Sequence, residues 1–140
     1  MEKVDKTKKV NTIGKRKCAI ARATIKAGKG NVIVNGIPLD KVEPYLAKLK
    51  IQEPFIIAGT SIGKIDCHVT VIGGGIFGQA DAARQAIARG IIKWTGDKDL
   101  QRKIVEYDRT MISYDPRRTE PHKPCRSKQG ARRKRQLSKR

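Results

Sequence analysis

Residues 115–140 limit what this chain can fold into. The segment is 26 residues long and carries 11 Lys or Arg against two acids, with Leu137 as its one large aliphatic side chain. A stretch like this cannot bury enough apolar surface to offset the entropy of ordering itself. It reads as an extended interaction tail that could reach about 85 Å at full stretch. Any packed core must therefore come from the residues before it, and they suffice for one modest domain. Residues 21–114 hold 14 basic and nine acidic residues, an ordinary balance, whereas residues 1–20 hold seven basic and two acidic ones. The expected organisation is a basic arm over 1–10, a globular domain over 11–114 and the tail over 115–140.

The whole chain of 140 residues has a net charge of +19. So large an imbalance opposes a compact state standing alone and calls for a partner dense in negative charge. Nucleic acid fits best, because each neutralised phosphate also releases condensed counterions. An anionic membrane surface is the rival. No stretch approaches a membrane span, and the N-terminal residues lack the apolar core of a signal peptide. Cys18, Cys67 and Cys125 are scattered and odd in number, which points to a reduced, cytoplasmic setting.

Within the body, Cys18–Lys26 reads as a strand with Ala19, Ala21, Ala23 and Ile25 on one face. After the turn at Ala27–Gly30, Val32–Val34 reads as its hairpin partner, closed by Asn35-Gly36. Leu39–Leu49 has helical spacing but contains Pro44, so a short or broken helix is expected. Pro54–Gly63 reads as a connection. Ile65–Ile72 alternates cleanly, with Ile65, Cys67, Val69 and Val71 forming the apolar face. A helix is predicted over Gln79–Trp94, burying Ala80, Ala83, Ile87, Ile91 and Trp94 and leaving Arg84, Arg89 and Lys93 for other faces. A last helix over Asp97–Tyr107 places Leu100, Ile104 and Tyr107 inward, with Asp97 as N-cap. The sum is a small α+β domain, with antiparallel strands and helices on one face.

Gly73-Gly74-Gly75-Ile76-Phe77-Gly78 has the spacing G-x-G-x-x-G between a strand and a helix, the form of a dinucleotide fingerprint. The context argues against that reading, since a second helix follows where a Rossmann unit needs a parallel strand. The glycines keep their physical meaning: bare backbone that another chain can approach, leading into a helix N-terminus that favours an anion such as an RNA phosphate. A tight turn without a ligand is the bland alternative. His122 and Cys125, with adjacent Cys67-His68, would have to converge to hold zinc, and no C-x-x-C pair supports it. No convincing catalytic set is present. The basic clusters Lys15-Arg16-Lys17, Arg117-Arg118 and Arg132-Arg133-Lys134-Arg135, with Lys128, bracket the body. Only six aromatics occur and none lies in either arm, which favours contact with phosphate and shape over base stacking.

These residues resemble a known family. Gly14-Lys15-Arg16-Lys17-Cys18-Ala19-Ile20-Ala21-Arg22, Val34-Asn35-Gly36, Gly73-Gly74-Gly75 with Gly78-Gln79, and the terminal Ser138-Lys139-Arg140 follow the order of the universal ninth protein of the small ribosomal subunit. The likeness runs from about residue 10 to the end. Glu106-Tyr107-Asp108-Arg109-Thr110 and Asp115-Pro116-Arg117-Arg118 look like the archaeal and eukaryotic branch, and the short N-terminus suggests an archaeon. Arg135 and Leu137 depart from the bacterial pattern. The resemblance implies a left-handed β-α-β crossover, which periodicity does not reveal. It implies a place in the subunit head, bound to ribosomal RNA, and the residues expected to make that contact are Lys15, Arg16, Lys17, Gly73, Gly74, Gly75, Gln79, Arg84, Arg117, Arg118, Lys128 and Arg132–Arg135. It also implies that Ser138, Lys139 and Arg140 meet the peptidyl-site transfer RNA, with neighbouring ribosomal proteins as further partners. No cofactor, metal or small-molecule substrate is expected. A free nucleic-acid chaperone would account for the charge but not for the terminal motif, and an oxidoreductase would rest on the glycine segment alone.

Overall fold

The computed structural model describes residues 8–59 and 65–119. Five strands form one sheet: β1 (Lys9–Arg16), β2 (Ala19–Ala27), β3 (Val32–Val34), β4 (Ile37–Pro38) and β5 (Ile65–Ile72). Three α-helices follow in chain order as α1 (Tyr45–Ala58), α2 (Ile76–Thr95) and α3 (Lys98–Tyr107). The sheet order is β1-β2-β5-β3-β4, antiparallel throughout except for the parallel pair β3/β5. Parallel neighbours need a crossover, and here α1 supplies it, giving the expected β-α-β unit. Lys9 and Val10, read with the N-terminal arm, open β1.

The β2–β3 hairpin is a correction. β2 pairs with β1 on one side and β5 on the other, so β3 joins the sheet beyond β5. Strand β1 was hidden by its charge, because only its even positions face the core. Thr12 and Gly14 are buried while Lys9, Asn11, Ile13 and Lys15 are exposed. Gly14 is where α2 crosses the strand most closely: a Cβ there would strike the Ala82 carbonyl and the Ala86 amide. Asn35-Gly36 does make a two-residue turn, with φ +49° and +81°, but it joins β3 to β4. The Asn35 side chain continues the sheet. Its Nδ2 donates to the Val71 carbonyl at 3.1 Å, and its Oδ1 accepts from the Val71 amide at 2.7 Å.

Helix α1 starts after Pro44, where a missing N–H costs nothing, and runs through Pro54 to Ala58. Reading Pro54 as the start of a connection was wrong for Pro54–Ala58. Pro54 lies on the buried face with Ala47, Ile51 and Ala58, at helical spacing, and burial of that face outweighs one lost ladder bond. Helix α2 is longer than expected at both ends, and Gly96 in the left-handed region closes it by donating its N–H to the Ile92 carbonyl at 2.8 Å. Asp97 caps α3 through the Asp99 amide at 2.8 Å. Tyr107 is exposed rather than inward: α3 ends there, and fully buried Met111 from the following 3₁₀ turn joins the core instead. Trp94 is only half-buried, with the Lys8 ammonium 5.2 Å from its ring.

The core lies between the sheet and its helices. Ala19, Ala21, Ala23 and Ile25 of β2 and Ile65, Cys67, Val69 and Val71 of β5 meet Ala83, Ile87 and Ile91 of α2, as the alternation predicted. Burial pushes the Cys67 thiol up to about 12, so it is core filler. His68 stands on the opposite face, exposed, so the two cannot share a metal. Among the described residues no three His, Cys, Asp or Glu group together for a metal, and no helix is long and apolar enough to cross a membrane. His122 and Cys125 lie outside the described residues.

Candidate nucleic-acid interface

The sequence-predicted residues that can be placed converge at one end of the molecule. Lys15-Arg16-Lys17 closes β1 and turns into β2, with Lys17 at φ +53°. The glycine turn packs on that hairpin end. Gly73 and Gly74 have φ of +77° and +71°, and a Cβ on Gly73 would lie 2.7 Å from the Cys18 carbonyl oxygen. A Cβ on Gly74 would lie 3.0 Å from Ala19. The expected approach of another backbone is therefore made by the chain itself, and bulk at either position is excluded. Gly75 differs: its φ is −106° and a Cβ there would meet nothing within 4 Å. It opens α2 with no side-chain cap, so the helix's first N–H groups keep their partial positive charge uncapped by a side chain. Gln79 braces the turn by donating its Nε2 to the Gly73 carbonyl at 3.1 Å.

The root of the tail reaches the same place. Asp115 is buried and bridges to Arg16 in parallel register. Its carboxylate accepts from the Arg117 amide and Nε at 3.0 Å each and pairs with Arg16 Nη2 at 3.2 Å. Hydrogen bonds from the Arg117 side chain, then from its amide, with Arg16 nearby, hold the Asp115 carboxyl well below the usual carboxylate range. Arg16 Nη1 donates to the Arg117 carbonyl at 3.4 Å, and Arg118 Nη2 donates to the Lys17 carbonyl at 3.2 Å. Lys15, Lys17, Arg117 and Arg118 remain exposed. Arg16 is largely covered, as a strut between hairpin and tail root.

Arg84, read as an RNA-facing cation, is also a strut. Its Nη1 donates to Glu53 at 2.6 Å, and its Nη2 donates to Asp108 at 2.7 Å and Thr110 at 3.2 Å. Burial alone would lower its affinity for a proton, but the hydrogen bond and charge of Glu53, with Asp108 and Asp81, raise it. Beside it, buried Gln85 accepts from the Lys15 amide at 2.8 Å and donates to the Thr110 and Ser113 carbonyls at 3.1 and 2.6 Å. Arg89 donates to the carbonyls of Ile112 (2.8 and 2.6 Å) and Ile13 (2.8 Å). Sequence reasoning missed Gln85 and gave Arg89 no task. Their signal was three long polar side chains within two turns of the helix, among alanines, Ile87 and Gly90. Together they lay residues 108–115 along α2 and β1, beside a charged cleft of about 370 Å³. Lys128, Arg132–Arg135, Ser138, Lys139 and Arg140 lie outside the described residues.

Known proteins give the same answer. Residues 14–140 match the family described as ribosomal protein S9/S16. The chain is 50% identical over 131 residues to "Small ribosomal subunit protein uS9" of Methanococcus maripaludis strain S2, covering 94% of this chain and 98% of that protein. The protein of the same name from Methanococcus vannielii is 49% identical over the same shares. Fold, basic edge and likeness define the class, an RNA-binding protein of the ribosome. The chain belongs to the ribosomal protein S9/S16 family, on its archaeal side.

Proposed function

We propose that this chain is a structural constituent of the small ribosomal subunit that docks on ribosomal RNA in the subunit head through its hairpin end and sends its C-terminal tail to the peptidyl-site transfer RNA. The observation that carries this reading is the convergence of Lys15, Lys17, the open N-terminus of α2 at Gly75 and the clamped tail root at Asp115–Arg118. One patch thus presents exposed cations, a helix N-terminus without a side-chain cap and the start of an 11-cation tail. That arrangement suits phosphates, which position a protein without reading sequence. Lys128 and Arg132–Arg135 extend the ribosomal RNA contact, and Ser138, Lys139 and Arg140 supply the transfer RNA contact. A terminal guanidinium and ammonium grip backbone phosphates and ignore base identity, so one tail serves every transfer RNA. Neighbouring proteins of the head complete the setting, the cytoplasmic ribosome.

The salt dependence of ribosomal RNA binding tests the docking. If about six tail cations neutralise phosphates, affinity falls with salt at a log–log slope of roughly −4 to −5 beyond the slope of the body. Removing residues 115–140 should flatten the slope by that amount. A slope unchanged by the removal would take the tail off the RNA backbone.

A further inference from the structure

Helix α2 packs on one face of the sheet with α1 and α3 against it, and among the described residues nothing covers the other face. The register of the strands fixes what stands on it. Lys9 pairs with Lys26 and then Asp66, Asn11 with Thr24 and then His68, Ile13 with Arg22 and then Thr70, and Lys15 with Ile20 and then Ile72. Three lysines, Lys9, Lys15 and Lys26, stand toward the ends of these rows, and Arg22 stands among the hydroxyl, amide and imidazole groups between Ile13 and Thr70. Ile13, Ile20 and Ile72 make an apolar corner, 50%, 41% and 69% exposed. A solvated sheet face ordinarily mixes charges of both signs. Asp66 is the single acid in all five strands. Its Oδ1 is already taken by the amides of Lys29, Gly30 and Asn31 at 2.9, 3.1 and 3.0 Å. None of the four cations makes an ion pair among the described residues.

We propose that this open face is a second RNA-docking surface, distinct from the hairpin end, and that it takes the shallow minor groove of a folded RNA. The proposal rests on the reading that the chain binds ribosomal RNA. Same-face residues repeat about every 7 Å along a strand and about 5 Å across strands, so the face is a flat platform about 20 Å long. A-form RNA offers a wide, shallow groove lined with 2′-hydroxyls and flanked by phosphates. The central Thr24, Thr70, Asn11 and His68 give and take hydrogen bonds at the sugar edge, and the four cations meet the phosphates. The isoleucine corner packs on ribose carbons. A protein partner docking on this platform would leave the cations without counter-charges unless it were strongly acidic.

The test uses the full chain assembled into small subunits, with the photoreactive substitution Thr24→p-benzoylphenylalanine, and Lys17→p-benzoylphenylalanine in a separate chain. Irradiation should link the residue-24 probe to ribosomal RNA, giving a product destroyed by ribonuclease. A second measurement takes Arg22→Gln with Lys26→Gln, whose outward side chains leave the core untouched. The log–log salt slope should shrink by about 1.5, the value of two phosphates. An RNA link at residue 17 with protein only, or no link, at residue 24 would overturn this proposal and leave the hairpin end standing. No RNA link at either residue would overturn both readings.

Discussion

Gly74 and Gly75 adjoin in sequence but stand in different surroundings. Gly74 sits at φ +71° against Ala19, so Gly74→Ala should cost about 1–2 kcal/mol of stability whatever the RNA does. Gly75 is unstrained and open, and a carboxylate there faces the positive end of α2. Gly75→Glu should therefore leave stability level or raise it by up to about 1 kcal/mol, read as a level or slightly raised melting temperature, while weakening RNA binding by setting like charge against phosphate. Equal losses of stability and binding in both variants would reduce the glycines to a turn. Three carboxylates set the acid limit of the body. Asp66 is held below its ordinary 3.8 by the amides of Asn31 and Lys29, Asp115 by Arg117 and Arg16, and Asp108, against its burial, by Thr110 and Arg84. Groups with lowered values stabilise fully above the ordinary range and lose that effect as pH falls through the folded value. The melting temperature should stay level from pH 8 to about 5 and fall below about pH 4, less steeply in Asp66→Asn. A body whose stability drops between pH 7 and 5 would contradict this.

At the scale of elements, α2 joins the fold to the tail. One of its faces closes the core, and a second lays residues 108–115 along β1 through Arg84, Gln85 and Arg89. Removing Arg84 strands the Glu53 and Asp108 carboxylates, each mostly covered. Arg84→Ala should destabilise the body by about 2–4 kcal/mol, read from urea unfolding, and Arg84→Lys should not fully restore it. A loss below about 0.5 kcal/mol would leave Arg84 free for RNA. Regular hydrophobic periodicity was legible from sequence: β2, β5, α2 and α3 lie where alternation and helical spacing put them, because burial on one face imposes the period. Strand β1 was illegible because its core positions are Thr12 and Gly14, small residues that let α2 come close. The β2–β3 pairing failed for another reason. Adjacency in sequence favours a hairpin, but β5 arrives from more than 30 positions later in the chain to lie between the two. For the site, the exposed cations could be read directly. The internal engagement of Arg16 and Arg84 could not, since charge type does not say whether an acid will fold against it.

At the scale of the whole molecule, residues 21–114 have a near-ordinary charge balance while most of the excess lies in residues 1–20 and 115–140 of the sequence, and the clamp at Asp115 holds Arg117 and Arg118 beside the Lys15–Lys17 turn. Assembly should depend on the body and the tail root together, whereas transfer RNA contact should depend on the last residues alone. The direct measurement is filter binding of transfer RNA to the peptidyl site of small subunits carrying a chain without Ser138, Lys139 and Arg140. Such particles should assemble normally and bind transfer RNA more weakly by about 1–3 kcal/mol, the scale of one or two charged hydrogen bonds. That corresponds to roughly 5- to 150-fold in the dissociation constant. Equal affinity for truncated and intact particles would contradict the account.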